Sequence, residues 1–149
     1  MTNASDSVLL AAATVEGGEG LTQHVRTGRH QFIADEPVAR GGADLGPAPY
    51  QLLMGSLGSC TAITLKMYAE KKKWDLGRLV VRLKLMREPA GERVERVLDC
   101  ADTVTPEQRA RLLEIAAKTP VTLTLSRALH IDTRFASTEP PDSTGPTQG

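Results

Sequence analysis

Residues 49 to 73, PYQLLMGSLGSCTAITLKMYAEKKK, constrain the fold more than any other stretch. Leu52, Leu53, Leu57, Ile63, Leu65 and Met67 surround the small residues Gly55, Ser56, Gly58, Ser59 and Ala62. Nearly every face of such a helix is apolar or small, which predicts a central helix buried all round. Glycine disfavours helix, so a kink or break is expected near Gly58. Lys66 and Glu70, four apart, can pair where the helix emerges. Aromatic residues make up only 3% of the chain, so Leu, Val, Ile and Ala must supply the core around this helix.

The flanking segments read as strands and one more helix. Residues 8 to 15, VLLAAATV, read as a strand, and Gly17, Gly18 and Gly20 as a turn. LTQHVRTGRHQFIADEP alternates weakly around Thr27-Gly28 and predicts a hairpin. Residues 37 to 49 hold three glycines and three prolines and form a loop long enough to cover a pocket or wrap a partner. Leu79, Val81, Leu83 and Leu85 alternate as a half-buried strand. MREPAGE turns it back into an antiparallel strand from Val94 to Cys100. Thr105-Pro106-Glu107-Gln108 is a helix start, with a capping hydroxyl, proline at the first helical position and a glutamine to complete the box. Leu112, Leu113 and Ala116 give that helix its apolar stripe, and it ends before Pro120. VTLTL and ALHIDTRF read as one or two extended pieces. The order predicts an α+β fold, helices against an antiparallel sheet. It forms one domain over residues 1–135, with a polar, proline-rich tail over 136–149 expected to be disordered.

Charge and cysteine usage narrow the function classes. Eighteen basic residues balance eighteen acidic ones, so no net field draws in nucleic acid. No run reaches membrane-spanning length, and the N-terminus lacks a basic export signal. Two cysteines without metal spacing argue against a disulfide scaffold or a zinc site. The expected compartment is the reducing cytoplasm. His24, His30 and His130 are far apart, no local spacing supports a metal site, and no phosphate-binding glycine pattern stands out. No metal or cofactor is expected.

Cys60 is the residue that carries chemistry. After a break near Gly58 it would lie in the first turn of the following helical segment, where free amides stabilise a thiolate. Small neighbours leave room for a substrate. The bland alternative is a packed core thiol. A thiolate that meets a peroxide also needs an organiser, and a guanidinium serves. Arg26 and Arg29 in the N-terminal hairpin are the candidates. A second thiol would trap a sulfenic acid as a disulfide. The only other one, Cys100, has nothing in the sequence to bring it within reach.

The stretch HQFIADEPVARGGADLGPAPYQLLMGSLGSCTAITLKMYAEKKKW, together with VTPEQRARLLEIAAKTPV, resembles the OsmC/Ohr family, most closely its OsmC-like branch. The similarity covers most of residues 20 to 132. It implies an intertwined homodimer, antiparallel sheets packed around central helices, with two active sites at the subunit junction. It further implies a thiol-dependent peroxidase of the oxidative stress response that reduces organic hydroperoxides. On that resemblance Cys60 is the attacking thiol and Arg26, with Arg29 next, the matching arginine. The second cysteine of the family corresponds to Thr119, which cannot form a disulfide. The family glutamate that holds the arginine falls at Tyr50 or Gln51. Tyr50, Gln51, Arg29 and Thr119 are therefore the expected pocket residues. Two functions stay open: a one-cysteine peroxidase regenerated by an external thiol, or by Cys100, and a scaffold that binds a small apolar ligand at the dimer interface. A structural dimer without ligand is the third.

Overall fold

The structure is a computed structural model that describes residues 6–136. It is mixed α+β. Strands β1 (Thr14–Gly17), β2 (Gln23–Thr27) and β3 (His30–Ala34) come first. Helix α1 (Pro49–Lys72) follows, then β4 (Val80–Glu88), β5 (Gly91–Asp99), α2 (Pro106–Ala116) and α3 (Pro120–Arg127). Among the described residues there are two antiparallel sheets, β1-β2-β3 and β4-β5. From residue 137 on, the tail expected over 136–149 lies outside the described residues.

The N-terminal sheet contains the expected hairpin, with Val25 opposite Phe32 and Thr27 opposite His30. Gly28 turns it at a φ of 57°. The strand expected over residues 8 to 15 forms only from Thr14; Val8, Leu9 and Leu10 belong to no regular element and are exposed. Residues 37 to 49 fold back on the end of β3. Asp35 fastens them: its carboxylate accepts from the Glu36 amide (2.8 Å), the Leu45 amide (3.2 Å) and the Thr22 hydroxyl (3.1 Å). A side chain at Gly46 would collide with the Ile33 carbonyl.

Helix α1 runs unbroken from Pro49 to Lys72, so the break expected near Gly58 does not occur. Gly58 serves packing instead. A Cβ there would stand 2.8 Å from Leu83 Cδ1, so the missing side chain lets β4 approach the helix closely. The burial expected on every face of α1 is also absent within one chain. Leu57, Gly58, Thr61, Leu65 and Ala69 are buried, while Ile63 and Met67 are 58% and 62% exposed. The main core gathers Leu65, Ala69, Leu76, Val104, Leu112 and Ala116, with Tyr68, Trp74 and Cys100 packed against it.

The capping signal at Thr105 is realised in full. The Gln108 amide donates to Thr105 Oγ1 at 3.1 Å, and the Thr105 amide donates to Gln108 Oε1 at 2.9 Å. VTLTL, expected as extended, is helix α3. Its β-branched residues favour strand, but Pro120 at the first helical position and packing against α1 decide for helix. Residues 128 to 136 form no regular element.

Candidate active site

Cys60 sits in the middle of α1, so its amide belongs to the helix ladder and offers nothing to a thiolate. The free-amide route expected from sequence is therefore closed. The side chain is half-buried and lies about 100° round the helix from Thr61. Thr61 is fully buried and donates to the Leu57 carbonyl at 2.7 Å.

The positive group beside this turn is Arg96 of β5. Along that strand Val94, Arg96, Leu98 and Cys100 share the less exposed face, while Arg93, Glu95, Val97 and Asp99 face solvent. Arg96 stands opposite Leu83 of β4 and reaches across to the helices. Its Nη1 donates to Thr61 Oγ1 at 2.9 Å and Thr122 Oγ1 at 2.8 Å, and its Nη2 donates to the Ala116 carbonyl at 2.8 Å. Burial pulls the guanidinium below its usual value, and the charge of the Cys60 thiolate pushes the other way. Arginine stays protonated throughout the physiological range. Four surface arginines, Arg82, Arg87, Arg93 and Arg111, pair with carboxylates. Among the described residues no carboxylate pairs with Arg96.

Thr119 is fully buried at the N-cap of α3 and lies 2.6 Å from Thr122, oxygen to oxygen. A cleft of about 410 Å³ opens beside this network. Leu57, Val94 and Leu125 form its apolar wall, and Glu92, Arg96 and Thr122 its polar side. Cys60 itself does not line that cleft within one chain; Leu57 lies one helical turn before it.

The other sequence-derived site residues are scattered within a single chain. Arg26 is exposed on β2, opposite Thr14. Arg29 is exposed in the β2–β3 turn. The Gln51 side chain accepts from the Ala48 amide at 2.9 Å and so caps α1. The Tyr50 hydroxyl is 3.4 Å from Glu92 Oε1, at the cleft. Cys100 is a free thiol in a second pocket of about 340 Å³ with Leu65, Leu79, Leu98 and Leu112, which Arg96 also lines. It is four residues from Arg96 along β5, about 13 Å. Of the expected set, Thr119 joins one network with Arg96, Thr61 and Thr122, and Cys60 is the neighbour of Thr61 on α1. Sequence reasoning passed over Arg96, although a charge in the inward row of an apolar strand was a signal. No helix among the described residues is long and apolar enough to cross a membrane.

Comparisons agree with this architecture. The solved structure of an OsmC-like protein from Mycoplasma pneumoniae superposes with a TM-score of 0.68 at 16% identity, covering 81% of this chain and 89% of that one. An organic hydroperoxide resistance protein from Elizabethkingia anophelis, with crystallant-derived thiocyanate bound, gives 0.58 at 25% identity over 79% and 89%. The organic hydroperoxide resistance protein OhrB of Bacillus subtilis gives 0.55 at 20% identity over 78% and 90%. No curated protein sequence matches the chain significantly. The family model described as OsmC-like protein matches residues 41–134, well over half of the chain. The chain belongs to the OsmC-like family.

Proposed function

We propose that this protein is a one-cysteine, thiol-dependent peroxidase that reduces organic hydroperoxides through Cys60. One observation carries the reading: the half-buried Cys60 thiol neighbours Thr61, whose hydroxyl accepts from an arginine held only by neutral groups. Arg96 has five N–H donors, and three are engaged by Thr61, Thr122 and Ala116. The remaining two are available to a thiolate or a peroxide oxygen.

In the reaction, the Cys60 thiolate attacks the terminal oxygen of ROOH. The S–O bond forms, the O–O bond breaks, and the alkoxide takes a proton from water and leaves as alcohol. Cys60 becomes a sulfenic acid. Thr119, at the position the family gives to a second cysteine, has no sulfur to resolve it. An external thiol condenses with the sulfenic acid, releasing water, and a second thiol frees Cys60 and departs as the disulfide. Free thiols and an external thiol reductant fit the reducing cytoplasm. Arg26 belongs to the N-terminal sheet, so it would meet Cys60 from a second copy of the chain in a homodimer.

The test is turnover of an alkyl hydroperoxide with a dithiol reductant. Wild type and Cys100→Ser should turn over, and Cys60→Ser should not. Arg96→Met should lower the rate at least about tenfold, on the scale of losing one charge-stabilising donor. Arg26→Ala reports on the second-copy arginine in the same assay. Untouched peroxide and an unmodified Cys60 thiol in wild type would sink the enzyme reading. A second reading, an apolar-ligand carrier, is favoured by the pocket among Leu65, Leu79, Leu98 and Leu112. It predicts ligand retained in native mass spectra whether or not Cys60 is replaced by serine.

A further inference from the structure

We infer that Thr122 is the positioning residue of this site: its hydroxyl, anchored on Thr119, holds the Arg96 guanidinium against the Cys60 turn of α1 using neutral acceptors alone. The inference rests on the reading of Cys60 as the reacting thiol. Proton bookkeeping around the three threonines supports it. A hydroxyl has one proton to give and two lone pairs to receive. Thr61 gives its proton to the Leu57 carbonyl and receives one from Arg96. Thr122 receives from Arg96 at 2.8 Å and lies 3.3 Å from the Ala116 carbonyl, to which it donates. Its second lone pair then takes the Thr119 proton across 2.6 Å. Every hydroxyl proton thus has one place, and the guanidinium has one orientation.

The chemistry of the acceptors matters as much as their geometry. A carboxylate would also hold Arg96, but its negative charge would cancel most of the field at the sulfur. Hydroxyls and a carbonyl orient the fork and leave its charge to act on Cys60. Thr122 acts on the sulfur through Arg96, to which it is hydrogen-bonded.

The pH dependence of Cys60 alkylation by iodoacetamide tests this in the full-length protein. Peptide-resolved mass spectrometry scores Cys60 and Cys100 separately. Thr122→Val keeps the shape and removes the acceptor, and the Cys60 midpoint should rise by about one pH unit, the scale on which a nearby opposite charge moves an acid. Thr122→Ser should match wild type, and the Cys100 profile should stay put in both variants. A Thr122→Val midpoint equal to wild type overturns the assignment, as does an equal rise for Cys100. If Thr122→Val does not fold, Thr119→Val, which removes only the anchoring proton, should still raise the midpoint, and no rise overturns the assignment. Alkylation needs no peroxidase activity. A wild type without turnover but with the Thr122 effect fails only the functional reading, whereas turnover with an unmoved midpoint fails only this one.

Discussion

Asp35 carries a charge in a place only 2% exposed. Burial opposes its ionisation, yet hydrogen bonds from the Glu36 and Leu45 amides, the Thr22 hydroxyl and the Ala43 amide outweigh that and hold the carboxyl below its usual value. The folded value therefore lies below the unfolded one. The charge contributes stability above about pH 3.9, and that contribution is lost as the pH falls through the folded value. Asp35→Asn should lower the melting temperature at pH 7 and flatten its decline toward pH 3, because the amide cannot receive all four donors. An acid-side slope identical to wild type would show that Asp35 does not fasten the loop. Arg96 marks the limit of residue-level reading. Its row, Val94, Leu98 and Cys100, was legible as a strand face, but its partners come from three helices that only folding brings together.

At the scale of elements, the proline starts of α2 and α3 differed in how much the sequence revealed. Thr105 with Gln108 gave a complete capping pattern, and the helix stands where the pattern put it. Thr105→Ala should cost about 1 kcal/mol, seen as a fall of roughly 3 °C in the melting temperature; no change would mean the cap is idle. Thr119-Pro120 carried half of the same signal, and the β-branched run behind it read as strand. In a strand, residues three apart point to opposite faces. In α3 they are neighbours, and this alone joins Thr119 to Thr122 and hence to Arg96. In α1, Gly58 read as a breaker because its local cost was visible and its contact with Leu83 was not. Gly58→Ala should be close to neutral, because about 1 kcal/mol of helix preference offsets displacement of a flexible leucine tip. Gly58→Val should destabilise by about 1–3 kcal/mol through overpacking. Chemical denaturation distinguishes the two, and equal midpoints would deny the close approach.

At the scale of the molecule, α1 is gripped on one side by β4, α2 and α3. Ser56, Ser59, Ile63 and Met67, three and four apart, share the opposite side, and the last two are exposed. The apolar character of α1 all round thus goes unused in one chain. We expect a second copy to cover that side. Light scattering should give twice the chain mass, and Ile63→Glu should shift the mass toward one chain. A wild-type monomer at micromolar concentration would remove the homodimer, and with it any meeting of Arg26 and Cys60 across subunits.

The amino-acid sequence by itself determined the α+β class, the central helix, the capped α2 and the family, because periodicity, caps and motif spacing act within a few residues of chain. It also exposed Cys60, whose setting among small residues is a local property. Only the tertiary structure decided that α1 is continuous, that 120–127 is helical, and that Arg96, Thr61 and Thr122 form one network with Thr119. The bonds from Arg96 to Thr122 and Thr61 span 26 and 35 positions in the chain, and no local preference encodes which distant hydroxyl a guanidinium will find.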